Sequence, residues 1–161
     1  MLVAIIQARM TSTRLPGKVL MPIQGRPVLD HLFAQLKFIE KIDKLILATT
    51  VNKEDDPIVE YAESHGIEYF RGSELDVLER YYLAAKQVNA EHIMRITADC
   101  PLLDPAICSQ LIEDYAAADS DIIRTALTFA SGLDCEIISF PTLETAYYNA
   151  KLQSEREHVT L

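Results

Sequence analysis

A short apolar run, Leu2-Val3-Ala4-Ile5-Ile6, passes through Gln7-Ala8 straight into a loop that carries Arg9, Thr11, Ser12, Thr13, Arg14, Gly17 and Lys18. This junction restricts the fold more than any other stretch. The run is short and rich in β-branched residues, so it reads as a buried strand and not as a helix. In α/β proteins, a loop of small polar residues after a buried strand presents backbone N–H groups to phosphates. The Arg and Lys side chains would offset charge that the amides alone cannot balance. Neither G-x-x-x-x-G-K-[ST] nor G-x-G-x-x-G occurs, so on composition alone a solvated basic turn stands beside a phosphate site at even weight.

The wording of the loop shifts that balance. Arg9-Met10-Thr11-Ser12-Thr13-Arg14-Leu15-Pro16-Gly17-Lys18 resembles the R-x-x-S-x-R-L-P-x-K signature of the sugar cytidylyltransferases, which form CMP-sialic acid and CMP-KDO. With Gln7-Ala8 ahead of it, the string is most similar to the SpsF-like branch of spore-coat polysaccharide biosynthesis.

Bulk properties agree with a nucleotide partner. A length of 161 residues predicts one domain, and 49% apolar residues can fill its core. The net charge of −9 argues against a nucleic-acid groove, and it makes the basic loop a local exception suited to a small polyanion. No apolar run approaches the ~20 residues of a membrane span, and the N-terminus does not read as a signal peptide. Cys100, Cys108 and Cys135 are odd in number and lack C-x-x-C spacing, so neither a disulfide framework nor a zinc site is expected. A reducing cytoplasm is the expected location.

Along the chain, helical spacing of Val28, Leu29, Leu32, Phe33, Leu36 and Ile39 predicts a first helix, with Pro27 at its first position. His31 on it is read as a surface or boundary residue. Residues 44–50 form a second strand, residues 55–64 a second helix closed by Gly66, and residues 67–70 a third strand. A further helix is expected after Arg71-Gly72, with Ser73 as its N-cap and Leu75, Leu78 and Tyr82 on one face. Residues 91–97 make a fourth strand running into Asp99, and Asp104-Pro105 cap the next helix. A fifth strand is expected at residues 121–125. Residues 132–140 alternate in character and predict a strand with one polar face, on which Asp134 and Glu136 lie together; a solvated edge would give the same pattern. Residues 141–150 form a last helix.

Three more strings carry the resemblance: residues 71–82 (R-G-S-x-x-D-V-L-x-R-Y), residues 95–105 (R-[IL]-T-G-D-C-P-L-[IL]-D-P, with Ala98 for the usual glycine) and residues 132–136 (G-L-D-x-E). Residues 156–160 also match, but in the family the sequence continues for some tens of residues. One domain over 1–161, lacking the family's C-terminal part, is therefore expected. The segment 126–131 departs from the proline- and tyrosine-containing turn usual there.

Alternating strands and helices imply a three-layer α/β/α fold with a mostly parallel sheet. The resemblance implies the nucleotide-diphospho-sugar transferase (GT-A-like) architecture, with one antiparallel strand near the carboxyl end. It also implies transfer of CMP from CTP to a sugar or sugar acid, with Mg²⁺ as cofactor. By the same resemblance, Arg9, Arg14, Lys18 and Asp99 are the catalytic candidates. Gln7, Ala8, Ser12, Ser73, Arg80 and Thr97 join the three cations as nucleotide-binding candidates, with Gln7 placed to read the base edge. Asp76, Asp134 and Glu136 are the substrate candidates, and Asp99 with Asp134 the metal ligands. The sugar is open, as is the oligomeric state, for which a homodimer is the candidate. Two rival readings are a non-catalytic nucleotide- or sugar-binding module and a glycosyltransferase using a finished sugar nucleotide. Such glycosyltransferases commonly hold metal with D-x-D, a motif this chain is read as lacking.

Overall fold

Strand β1 (Leu2–Gln7) is buried along almost its whole length, and its side chains alternate between two separate cores. Ala4 and Ile6 pack into one, Val3 and Ile5 into the other. The computed structural model, which describes residues 1–126 and 128–160, shows why. β1 pairs in parallel on both sides, with β4 (Lys44–Thr50) and with β6 (His92–Thr97). A strand at the centre of a parallel sheet is covered on both faces, so it reads as a continuous apolar run. Each fully buried Ile or Leu there contributes roughly 1.5–3 kcal/mol of transfer free energy.

The six-stranded sheet has the order β5-β4-β1-β6-β8-β7, with β5 at Glu68–Gly72, β7 at Ile122–Arg124 and β8 at Glu136–Ser139. β8 is antiparallel to both β6 and β7, the one reversed strand that the family resemblance implies. Helices α1 (Val28–Leu36), α2 (Asp56–Ser64) and α4 (Pro105–Ala117) fill the first core with Leu29, Leu32, Ile58 and Leu111. Helices α3 (Val77–Gln87) and α5 (Phe140–Asn149) fill the second with Leu78, Tyr81 and Leu143. The short α6 (Gln153–His158) docks through Arg156, which pairs with Asp76 and donates to the Tyr147 carbonyl at 2.6 Å. The three-layer expectation is met. Among the described residues, no helix is long and apolar enough to cross a membrane.

Local signals placed several boundaries well: β4 spans residues 44–50, α2 ends before Gly66 at φ +64°, and Asp104 caps α4 through the amides of Ala106 and Ile107. Four expectations are corrected. Pro27 belongs to the two-residue strand β3 (Arg26–Pro27), which pairs with β2 (Pro22–Ile23), so it precedes the helix instead of opening it. Ser73 does not cap α3; its hydroxyl takes the Asp76 amide, and Asp76 takes the Glu79 amide as the true N-cap. Leu75 lies outside that helix and is exposed. The strand expected over 132–140 begins only at Glu136, which is itself buried. Asp134 sits in the preceding turn and accepts from the Gly132 amide at 3.1 Å, so the two acids do not share a solvated strand face.

Candidate active site

After β1 the chain builds β4 and β5 to one side, then crosses over to place β6 on the other. The crevice outside the carboxyl ends of β1 and β6 is thus a topological switch point, where open α/β sheets bind ligands. Two main-chain bonds carry the pairing beyond the strand ends: Ala8 N–H to the Ala48 carbonyl and Ala98 N–H to the Gln7 carbonyl, both 3.0 Å.

The loop after β1 closes on itself. The Gly17 amide donates to the Met10 carbonyl at 2.8 Å, and Gly17 has φ +73°, a conformation that glycine adopts without strain. A single 3-10 turn, Lys18–Leu20, follows and is pinned by buried Val19. The loop and the β6 end enclose a cavity of about 190 Å³. Gln7, Ala8, Arg9, Ser12, Arg14, Lys18, Thr97 and Asp99 all line it. The Gln7 Oε1 is buried there with no hydrogen-bond partner among the described residues. Lys18 reaches across to an ion pair with Asp99. Burial works against charge on Asp99, yet the Lys18 hydrogen bond and charge, with Thr97, hold its carboxyl below the usual carboxylate range.

A second cavity of about 230 Å³ adjoins the first and shares Thr97 with it. Asp134, Glu136, Arg95, Arg124 and Thr160 line it. Glu136 is 6% exposed; it pairs with Arg95 Nη1 at 2.5 Å and takes the Thr160 hydroxyl on both oxygens, at 3.0 and 2.9 Å. Arg95 lies over the Tyr81 ring, 5.7 Å from its centre. Arg95, Arg124 and Thr160 were not picked out by the sequence reading. A period of two along β6 relates Arg95 to Thr97, and that was the available signal for Arg95.

The third group of candidates lies elsewhere. Ser73, Asp76 and Arg80 line neither cavity. Both Asp76 oxygens are engaged within the protein, one by the Glu79 amide and one by Arg156. Arg80 is fully buried and donates to the Ser73 carbonyl at 2.7 Å.

Among the described residues, no group of three or more metal-binding side chains occurs, and Asp99 and Asp134 line different cavities. The Asp99 carboxylate already faces one cation, the Lys18 ammonium. A hard oxygen donor at the rim of an anion cavity suits Mg²⁺, which keeps several waters and binds through one or two carboxylates plus phosphate. The chain does carry one D-x-D string, Asp119-Ser120-Asp121, so composition by itself does not exclude a glycosyltransferase. That string precedes β7 at the opposite end of the sheet, where Asp121 accepts from the Ser139 amide and hydroxyl.

A family model described as cytidylyltransferase matches residues 3–161. The chain is 36% identical over 162 residues to the spore coat polysaccharide biosynthesis protein SpsF of Bacillus subtilis, covering 98% of this chain and 67% of that one. It is 42% identical over 159 residues to an uncharacterised protein of Methanocaldococcus jannaschii, covering 99% and 65%. A solved cytidylyltransferase of Leptospira borgpetersenii superposes with a TM-score of 0.93 at 36% identity, covering 98% of this chain and 68% of that one. The chain thus spans about two thirds of the length of these proteins.

Proposed function

The chain belongs to the cytidylyltransferase family, and from that premise we propose that it transfers CMP from CTP to a sugar or sugar acid, releasing pyrophosphate, for a surface polysaccharide. The observation that carries this is the pair of adjoining cavities joined at Thr97. One is lined by the loop cations and would take the triphosphate; the other carries both acidic and basic groups and would take a polar acceptor.

In this reaction an acceptor oxygen forms a bond to the α-phosphorus while the bond from that phosphorus to the bridging oxygen breaks. The electron pair leaves with pyrophosphate, and the acceptor hydroxyl gives up its proton to solvent water. Negative charge grows on phosphate oxygens throughout, so positioning and electrostatic stabilisation dominate. Arg9, Arg14 and Lys18 would balance the triphosphate, and Ser12 would donate to a phosphate oxygen. The unpartnered Gln7 Oε1 would accept from an exocyclic amine on the base, a group cytosine has and uracil lacks. Asp99 would hold Mg²⁺, with Asp134 of the adjoining cavity as the second carboxylate; such an ion neutralises phosphate charge and favours leaving-group departure. Arg95 and Arg124 would face an acidic group on the acceptor, and Glu136 would keep Arg95 in place. We take residues 1–161 to act as one domain located in the cytoplasm.

The test is a pyrophosphate-release screen of CTP, UTP, GTP and ATP against acidic and neutral sugars. CTP-selective release with one acceptor class supports the proposal. Tight nucleotide binding with no release under any pairing would favour a non-catalytic binding module. Transfer from a finished sugar nucleotide would favour a glycosyltransferase.

A further inference from the structure

We infer that Asp55 and Glu74 are positioning residues for the nucleotide loop: two carboxylates, each on a different connection of the sheet, hold its first half in place before any ligand arrives. The inference rests on the nucleotidyl-transfer reading. Neither residue lines the cavity, so each acts through the loop.

The contacts are specific. The Met10 amide donates to Asp55 Oδ1 at 2.6 Å, and the other Asp55 oxygen takes the Thr50 hydroxyl at the end of β4. Asp55 is fully buried. One residue on, the Thr11 hydroxyl donates to Glu74 Oε1 at 2.6 Å, while Asn52 holds Glu74 Oε2 at 2.6 Å. Arg9 Nη1 stands 3.6 Å from Glu74 Oε1. Three consecutive loop residues, Arg9 to Thr11, are therefore tied to the β4–α2 and β5–α3 connections. The Thr11 hydrogen bond is foremost in holding the Glu74 carboxyl below its ordinary range, against the effect of burial.

A buried carboxylate needs compensating charge. The buried Arg80 guanidinium lies among these groups without a direct ion pair to either acid: Asp55 and Glu74 favour its charge, Arg9 opposes it, and its Nε and Nη2 have no hydrogen-bond partner among the described residues. Its Nη1 also holds the Ser73 carbonyl, which fixes the turn that carries Glu74. Gly72 makes room for its stem, since a Cβ there would stand 3.2 Å from Arg80 Cγ and 2.9 Å from Phe70 Cε1. The string from Gly72 to Arg80 thus reads as the wall that sets the loop. Ordering a loop costs conformational entropy, and a loop ordered in the free protein does not charge that cost to ligand binding.

The experiment uses the full chain with Asp55→Ala, Asp55→Asn, Glu74→Ala and Glu74→Gln. Amide exchange of Met10 and Gly17, the loop amides bonded to Asp55 and to the Met10 carbonyl, is measured without ligand, alongside CTP titration, kcat and KM. Asp55→Asn keeps an acceptor for Met10 and should stay within about threefold of wild type in exchange, whereas Asp55→Ala should exchange more than tenfold faster at Met10. Glu74→Ala should weaken CTP binding at least tenfold and raise its KM more than it lowers kcat. Glu74→Gln should fall between, because it can accept from Thr11 but has no charge for Arg9. A folded Glu74→Ala protein with wild-type loop exchange and wild-type CTP affinity would overturn the inference. If Asp55→Ala fails to fold, the Glu74 pair decides alone. A wild-type protein that binds no nucleotide would refute the function, while exchange in the free protein would still decide the clamp.

Discussion

Lys18 and Asp99 form an ion pair across the cavity, one from the 3-10 turn after β1 and the other from the end of β6. On the proposed function, a cation for phosphate and a carboxylate for metal thus neutralise each other in the free protein. A triphosphate arriving without metal must compete with Asp99 for Lys18 and also face its negative charge.

Asp99→Asn should therefore act in opposite directions on two measurements. In EDTA it should bind CTP at least as tightly as wild type, because a repulsion is gone and Lys18 is released. With Mg²⁺ its turnover should fall by orders of magnitude. Near-normal Mg²⁺-dependent pyrophosphate release would remove Asp99 from the metal role. The pair is partly exposed, so melting should shift by no more than the equivalent of about 1 kcal/mol. Because the folded-state pKa of Asp99 is lowered, its contribution to stability is present above the ordinary carboxylate value of about 4 and is lost as pH falls through the depressed value. Acid melts of wild type and Asp99→Asn should converge there.

Lys18→Ala should weaken triphosphate binding far more than monophosphate binding, since the side chain is a point charge suited to the outer phosphates. Calorimetry with CTP and CMP checks this, and equal losses would contradict it. Lys18→Arg should rescue only in part, because a planar fork is not a compact ammonium.

Asp134 and Glu136 should separate experimentally, because the structure separates them. Glu136→Ala leaves Arg95 without its partner in a site where Arg95 is 21% exposed, and should cost about 2–4 kcal/mol, read as a large drop in melting temperature. Asp134→Asn should melt like wild type while raising the acceptor KM. Wild-type kinetics for Asp134→Asn would make that residue only a turn former, through its bond to the Gly132 amide.

Gly72→Ala should destabilise by about 1–3 kcal/mol through overpacking, although the backbone there is not left-handed. Thermal melting measures the cost. The loop amides of Met10 and Gly17 should exchange faster as well, because displacing Arg80 moves the turn that carries Glu74.

The sequence by itself determined what short-range physics controls. The apolar run 2–6, the strand 44–50, the Asp104-Pro105 cap and the Gly66 stop depend on neighbours within a few residues, and each is where local pattern puts it. The residues of the loop after β1 that share one cavity were legible for the same reason, since most of them are close together along the chain. Ser73 and Asp76 both have capping side chains, and only the three-dimensional path of the turn decided which one caps α3. Alternation put Asp134 and Glu136 on one face, but the strand starts late, and partners on β6 and at Thr160 bury Glu136. Asp55 and Glu74 carried no signal of their own, because Met10 and Thr11 lie 45 and 63 residues away along the chain. The fold brings those groups to 2.6 Å by packing two sheet connections against one loop, and no periodicity in sequence encodes such a contact.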